Sequence, residues 1–272
     1  VVKLGVAIMA HPKRSGLVAD LVEALDRPVE VVWDRRHDRW DTGRRAWEAH
    51  DPDATHWLVL QDDALVCRDL IAGLTAAIEH VPDECIVSPY VGTRRPLADR
   101  VEAAVVEAGE VGAAWIVMQA LNWGVGILAP TWTIPEMLEW CDTEPYPMYD
   151  RRVGRYYLRV LHWHTWCTWP SLIDHHGGGD DSLIGNGGGR HAHHWVGPDA
   201  SAADIDWAGP VVRMPYDRRR APLPKFSSPL ISAWFHVQTG RRRLVRVGST
   251  MDARLAADPV WSRSPIKEAA HA

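Results

Sequence analysis

The sequence predicts an α/β fold in which a mainly parallel central sheet is flanked by helices, followed by a small basic appendage. Two observations carry this. Short apolar runs alternate with amphipathic helical stretches of about 10 to 13 residues, the spacing that crossover connections between parallel neighbours require. The charge then changes sign along the chain: residues 208–272 hold 12 Lys/Arg against 4 Asp/Glu, whereas residues 1–207 hold 18 against 31. The reading is a domain over 1–207 and a basic hairpin and helix over 208–272.

The elements follow in order. Lys3 to Ala10 is apolar enough for a buried strand, and Ser15 is placed to cap a helix with Leu17, Val18, Leu21, Val22 and Leu25 on one face. Pro28 to Trp33 is a second strand, Asp41 or Thr42 starts a helix running to Ala49, and His56 to Leu60 is a third strand leading into Gln61-Asp62-Asp63. A helix over 68–80, a strand over 85–91 and a helix over 98–108 come next. Strands over 114–119 and 123–128, helices over 134–140 and 149–160, and a strand over 165–169 complete the first part. Two glycine triplets, 177–179 and 187–189, mark a loop that suits an active-site lid or a plain connector. Segments 233–238 and 241–247 flank Thr239-Gly240 as a hairpin, and 252–257 is a short helix.

Composition excludes several classes. Cys67, Cys85, Cys141 and Cys167 lie far apart without metal-ligand spacing, which argues against a zinc module and a disulfide framework and for buried thiols in a reducing cytoplasm. No apolar run approaches the roughly 20 residues of a membrane span, and the opening strand is too short for a signal-peptide core. The expectation is a cytoplasmic chain without a membrane partner. Tryptophan supplies 15 of the 23 aromatic side chains, a flat apolar surface that suits sugars or bases as well as core filling.

Chemistry concentrates at Asp62 and Asp63. Two adjacent carboxylates ending a buried strand are costly to keep charged without a cation, and hard oxygen ligands favour Mg²⁺ or Mn²⁺. The same acids would also serve as a cap for helix 68–80 or as partners of Arg68. In parallel sheets ligands collect at the carboxyl ends of the strands, which is where this pair stands.

The stretch Trp57-Leu58-Val59-Leu60-Gln61-Asp62-Asp63-Ala64 resembles the acidic metal-binding motif of glycosyltransferases of the GT-A fold, a Rossmann-related architecture, in particular the lipopolysaccharide-type branch. Ala7 to Arg14 resembles that branch's first strand and basic loop, and Pro170-Ser171-Leu172-Ile173-Asp174-His175 resembles the site-closing strand and histidine of bacteriophage glycosyltransferases. Gln61 departs from the pattern, standing where the family often has an acid.

The resemblance implies roles for individual residues. Asp63 and His175 would be metal ligands, the imidazole favouring Mn²⁺ over Mg²⁺, and Asp62 would contact the ribose or a metal-bound water. Ala10, His11, Arg14 and Gln61 would hold the nucleotide, Arg14, Arg44 and Arg45 are candidates for the diphosphate, and Trp123 and Gly124 would lie against the donor sugar. Asp150 would be the general base, or else would simply favour the positive end of its helix. The implied reaction moves a sugar from a nucleotide-sugar, a UDP-sugar first among them, to a hydroxyl on a hydroxymethylated base of phage DNA or on a virion-protein Ser/Thr. That would place it in the host cytoplasm. A metal-dependent nucleotidyltransferase and a non-enzymatic carbohydrate or nucleic-acid binding module stay open. His191, His193 and His194 form a further cluster without a nearby acid in sequence.

Overall fold

The computed structural model describes residues 1–93, 98–176, 190–214, 231–236 and 242–247. Contacts divide the chain into two compact units, Val1–Pro215 and Tyr216–Ala272. Composition alone puts the break at 207/208; Val211–Arg213 stay with the first unit because they pair in parallel with Trp115–Val117.

In the first unit the strands are β1 (Leu4–Ala10), β2 (Glu30–Trp33), β3 (His56–Gln61), β4 (Ala64–Val66), β5 (Cys85–Ser88), β6 (Trp115–Met118), β7 (Gly126–Pro130), β8 (His164–Thr168), β9 (Ile173–His175) and β10 (Val211–Arg213). The helices are α1 (Ser15–Leu25), α2 (Arg39–Glu48), α3 (Leu70–Ile78), α4 (Ala98–Val111), α5 (Ile134–Thr143) and α6 (Tyr149–Arg159). Eight strands form one sheet in the order β10-β6-β8-β5-β7-β3-β1-β2, and β4 and β9 pair separately.

The sheet is mixed where the sequence predicts a mainly parallel one: four of its seven neighbour pairings are parallel and three antiparallel. Strands β1, β2 and β3 are parallel neighbours, as are β5 with β8 and β6 with β10, but β7 runs antiparallel to both β3 and β5, and β6 antiparallel to β8. Helices separate successive strands of this sheet from β1 to β6, and the alternation then lapses: residues 119–125 join β6 to β7 with no helix between them. Without a crossover helix nothing local obliges the next strand to be parallel. The reversal has a functional consequence, because it brings the start of β7 to the carboxyl end of β3, pairing Gly126 with Leu60 and letting the Gln61 N–H donate to the Val125 carbonyl at 2.9 Å.

Both faces of the sheet are covered. Along β3, Trp57 and Val59 join the core under α2, α5 and α6, while Leu58 and Leu60, which point the other way, are equally buried. Trp57 also anchors α2 through an indole N–H donated to the Ala46 carbonyl at 2.9 Å. A second core under α4 gathers Val101, Ala104 and Ala108 against Ile116, Met118 and Val212. Trp40, Trp47, Trp115, Trp163, Trp166, Trp169 and Trp207 are buried too, so most described tryptophans fill core.

Helix starts differ from expectation by local capping. The chain leaves β1 into a 3-10 turn, Pro12–Arg14, capped by His11, whose Nδ1 accepts from the Lys13 N–H at 3.2 Å. Ser15 is therefore the first residue of α1, and Arg14 stands at its cap position, its side chain making no capping bond to the helix. Helix α2 begins at Arg39 because Asp38, in extended backbone, accepts from the Trp40 N–H at 2.8 Å. Among the described residues no helix is long and apolar enough to cross a membrane.

In the second unit β11 (Ile231–His236) and β12 (Arg242–Val247) form an antiparallel pair, Ile231 opposite Val247. The Thr239-Gly240 turn, the helix expected over 252–257 and the glycine triplets of 177–189 lie outside the described residues.

Candidate active site

Strands β1, β2 and β3 end in step, with Met9 beside Gln61 and Ala10 beside Trp33. Past Gln61 the chain turns through Asp62 and Asp63 into β4, which pairs with β9 so that Ala64 lies opposite His175. The pairing is locked by the His176 N–H, which donates to the Asp63 carbonyl at 2.7 Å. A turn that tight at the end of a buried strand leaves both carboxylates only 5% exposed.

Their partners come from the β1 end. The His11 backbone N–H donates to Asp62 Oδ2 at 2.7 Å, and Arg14 Nη1 donates to Asp62 Oδ1 and to Asp63 Oδ2, each at 2.6 Å. Burial still pushes the Asp62 carboxyl above its usual range, with Arg14 pulling the other way and the Asp63 charge adding to the rise. The alternative in which the acids pair with Arg68 or cap the following helix is not what the fold contains: Arg68 meets Asp69 at 3.6 Å, and Asp69 holds the cap position of α3.

His175 faces the same pair. Its Nε2 lies 3.2 Å from Asp63 Oδ2, while its Nδ1 lies 3.1 Å from the His176 carbonyl. A carbonyl only accepts, so Nδ1 carries the proton and, in the neutral ring, Nε2 offers a lone pair toward a carboxylate. Asp63 Oδ1, also buried, has no hydrogen-bond partner among the described residues. With the ring neutral, two carboxylates and one guanidinium leave the cluster one positive charge short, which a ring proton or a bound cation would supply. An imidazole and carboxylate oxygens, with the imidazole's other nitrogen fixed by a carbonyl, fit a Mn²⁺-type ion.

On the neighbouring side Gly124 forms the floor. A Cβ there would lie 2.8 Å from Asp150 Cβ, 3.2 Å from Gln61 Nε2 and 3.3 Å from the Tyr149 ring, so only glycine lets these three converge. Helix α6 reaches this position by close approach to α2, since a Cβ at Gly43 would meet the Tyr149 ring at 2.4 Å. Asp150 sits in the first turn of α6, accepting the Arg151 N–H at 2.9 Å. Burial raises its carboxyl above the usual range; the Arg151 N–H and the charges of Arg151 and Arg39 work against the rise. Trp123 is half-buried and packs edge-on against Tyr90, ring centres 5.9 Å apart.

The three candidate arginines separate. Arg14 is at the acids. Arg44 pairs with Glu48 and with Asp142 of α5, the latter at 3.0 Å, and Arg45 pairs with Asp41 at 3.0 Å and donates to the Trp33 carbonyl. The histidine cluster also comes apart: His191 Nδ1 lies 3.0 Å from Asp174, His193 lies 3.8 Å from Glu102, and His194 stacks on Trp169. These contacts clasp the returning segment to β9 and α4.

Sequence reasoning missed Asp34 and His37. Asp34 follows β2 as Asp62 follows β3, so an acid directly after an apolar strand was the available signal. Its N–H donates to the Ala10 carbonyl at 2.6 Å, its Oδ1 accepts the Arg36 and His37 N–H groups, and side-chain donor atoms of His11, Asp34 and His37 lie within 4.8 Å of one another. The Lys13 N–H occupies His11 Nδ1, so in the neutral ring Nε2 carries the proton and points a donor toward Asp34, 4.0 Å away. The three stand close enough together to share one ion or one polar group of a ligand.

No family model matches this chain, and no curated protein matches it. Among solved structures it is similar to a mutant of Drosophila β-1,4-galactosyltransferase 7 in complex with manganese, UDP-Gal and xylobiose, at 10% identity and a TM-score of 0.40, over 64% of this chain and 71% of that one. A likeness of that degree leaves the chemistry to be read from this chain's own residues.

Proposed function

We propose that the chain is a metal-dependent glycosyltransferase of GT-A type, moving a sugar from a nucleoside-diphosphate sugar to an acceptor hydroxyl. The observation that carries this reading is the clustering at the strand ends: Asp62 and Asp63 are buried against the single guanidinium of Arg14, and His175 Nε2 lies 3.2 Å from Asp63 Oδ2, where a cation could be shared. Asp63 and His175 are the residues that would hold it. When bound, a divalent ion stabilises the charge that develops on a departing diphosphate.

The chain's own groups cover the rest of the donor. His11, Asp34 and Gln61 offer hydrogen-bonding groups beside the acids for the ribose and base, and Gly124 lets Gln61 and Asp150 stand close together beside the backbone that the sugar would approach. Asp150, its carboxyl raised by burial, is placed to take the proton of an acceptor hydroxyl as that oxygen bonds to the anomeric carbon and the bond to the diphosphate breaks. A base used in this way belongs with a single, inverting displacement.

A panel of nucleotide-sugars, UDP-sugars first, incubated with Mn²⁺ tests the reading through release of the nucleoside diphosphate. Release of pyrophosphate with nucleotide transfer would point instead to a nucleotidyltransferase. Binding that survives chelation without turnover would point to a binding module. For the acceptor, the basic second unit favours a hydroxymethylated base in phage DNA over a protein Ser/Thr. Arg242 and Arg243 stand in β12, while Arg218, Arg219, Arg220 and Arg241 lie outside the described residues.

A further inference from the structure

We propose that Arg14 is a resident counter-cation that keeps the metal site closed until a diphosphate draws it away, so that metal loading is conditional on the nucleotide. This rests on the glycosyltransferase reading and adds the order in which the site fills. The juxtaposition that carries it is a shared oxygen: Asp63 Oδ2 accepts from Arg14 Nη1 at 2.6 Å and faces His175 Nε2 at 3.2 Å. A cation taken up by Asp63 and His175 would meet the guanidinium across that one oxygen. In a buried pocket such repulsion is little screened, so the two positive charges exclude each other.

Arg14 is suited to move. Its backbone ends the Pro12–Arg14 turn next to the first residue of α1, and its side chain makes no capping bond to that helix, so the helix start does not depend on where the guanidinium lies. Its guanidinium is a group that phosphate oxygens bind bidentately. A diphosphate brings the negative charge that compensates Arg14 as it leaves the carboxylates, and Asp63 is then open to the metal. Without nucleotide, Arg14 neutralises part of the acid pair and helps hold the pocket together.

The coupling is reciprocal, so it can be read from either ligand. Free Mn²⁺ is counted by electron paramagnetic resonance during titration of the full chain, alone and with saturating UDP. In the wild-type protein UDP should tighten Mn²⁺ binding by about 10-fold or more, and Arg14→Gln should bind Mn²⁺ without UDP about 10-fold more tightly than wild type, with UDP adding little. Arg14→Lys, which keeps a cation in place, should remain close to wild type. In thermal melts, metal-free Arg14→Gln should unfold at lower temperature, and Mn²⁺ should restore it.

If Arg14→Gln binds Mn²⁺ no more tightly than wild type, Arg14 is not the competitor and the proposal is overturned while the metal reading stands. Failure of every folded variant to bind Mn²⁺, with or without UDP, would overturn both. Should Arg14→Gln not fold, the wild-type titration still decides: equal Mn²⁺ affinity with and without UDP rules the gate out.

Discussion

His175 Nε2 stands 3.2 Å from Asp63 Oδ2, and because Nδ1 is committed to the His176 carbonyl the neutral ring has no proton to offer that oxygen. Two acceptors held this close by a β4–β9 pairing need a positive charge between them. Either the ring is protonated or a cation is bound, and a bound cation is what the proposed chemistry requires.

Asp63→Ala should therefore abolish turnover and the metal dependence of nucleotide binding, because the diphosphate would then face an acidic unit without a bridging ion. His175→Ala should weaken Mn²⁺ by about 100-fold or more, at least the loss that follows removal of a ligand's outer partners. Calorimetric titration of UDP with and without Mn²⁺ measures both. Metal-dependent affinity retained in Asp63→Ala would refute the assignment.

Asp150→Asn separates binding from chemistry. Donor affinity should persist while transfer falls by about 100-fold or more, the scale of a lost general base. The wild-type rate should fall as pH drops through the Asp150 pKa, and since burial raises that pKa, the acidic limb should begin above the ordinary carboxylate range. The limb should vanish in Asp150→Asn. A variant with the wild-type rate and pH profile would return Asp150 to a purely helix-stabilising role.

Gly124→Ala tests the convergence of Gln61, Tyr149 and Asp150. The added methyl would have to displace Asp150 Cβ at 2.8 Å, so donor KM should rise and turnover fall while overpacking costs about 1–3 kcal/mol of stability. Kinetics paired with a denaturant melt distinguishes this from simple unfolding. Unchanged kinetics would mean that the donor sugar does not approach this backbone.

DNA as acceptor predicts steep salt dependence. Binding of duplex should weaken linearly in log-log form, and changing Arg241, Arg242 and Arg243 to Gln should reduce the slope by about 2 to 3 through lost counterion release. A filter-binding series across salt concentrations compares the two proteins. No detectable binding at low salt would shift the acceptor to protein.

Much of the site was legible one residue at a time. The apolar run ending in Gln61-Asp62-Asp63 identified a buried strand with acids at its end, and the resemblance of Pro170 to His175 to a site-closing strand and histidine singled out the imidazole that meets them. The strand was legible because burial periodicity and the chemistry of a side chain are local properties of sequence. The same local rule would have picked out Asp34 after Val31-Val32-Trp33.

Only the tertiary structure decided what depends on long-range pairing. The direction of β7, and so the arrival of Gly124 beside Gln61 and Asp150, follows from its insertion between β3 and β5. Which of Arg14, Arg44 and Arg45 meets the acids depends on where each helix start comes to rest: the turn after β1 lies beside the end of β3, whereas α2 turns Arg44 toward α5. Sequence specifies which groups can carry charge and which segments bury themselves. The distance between charges far apart in the chain is set by strand order, which no local pattern encodes.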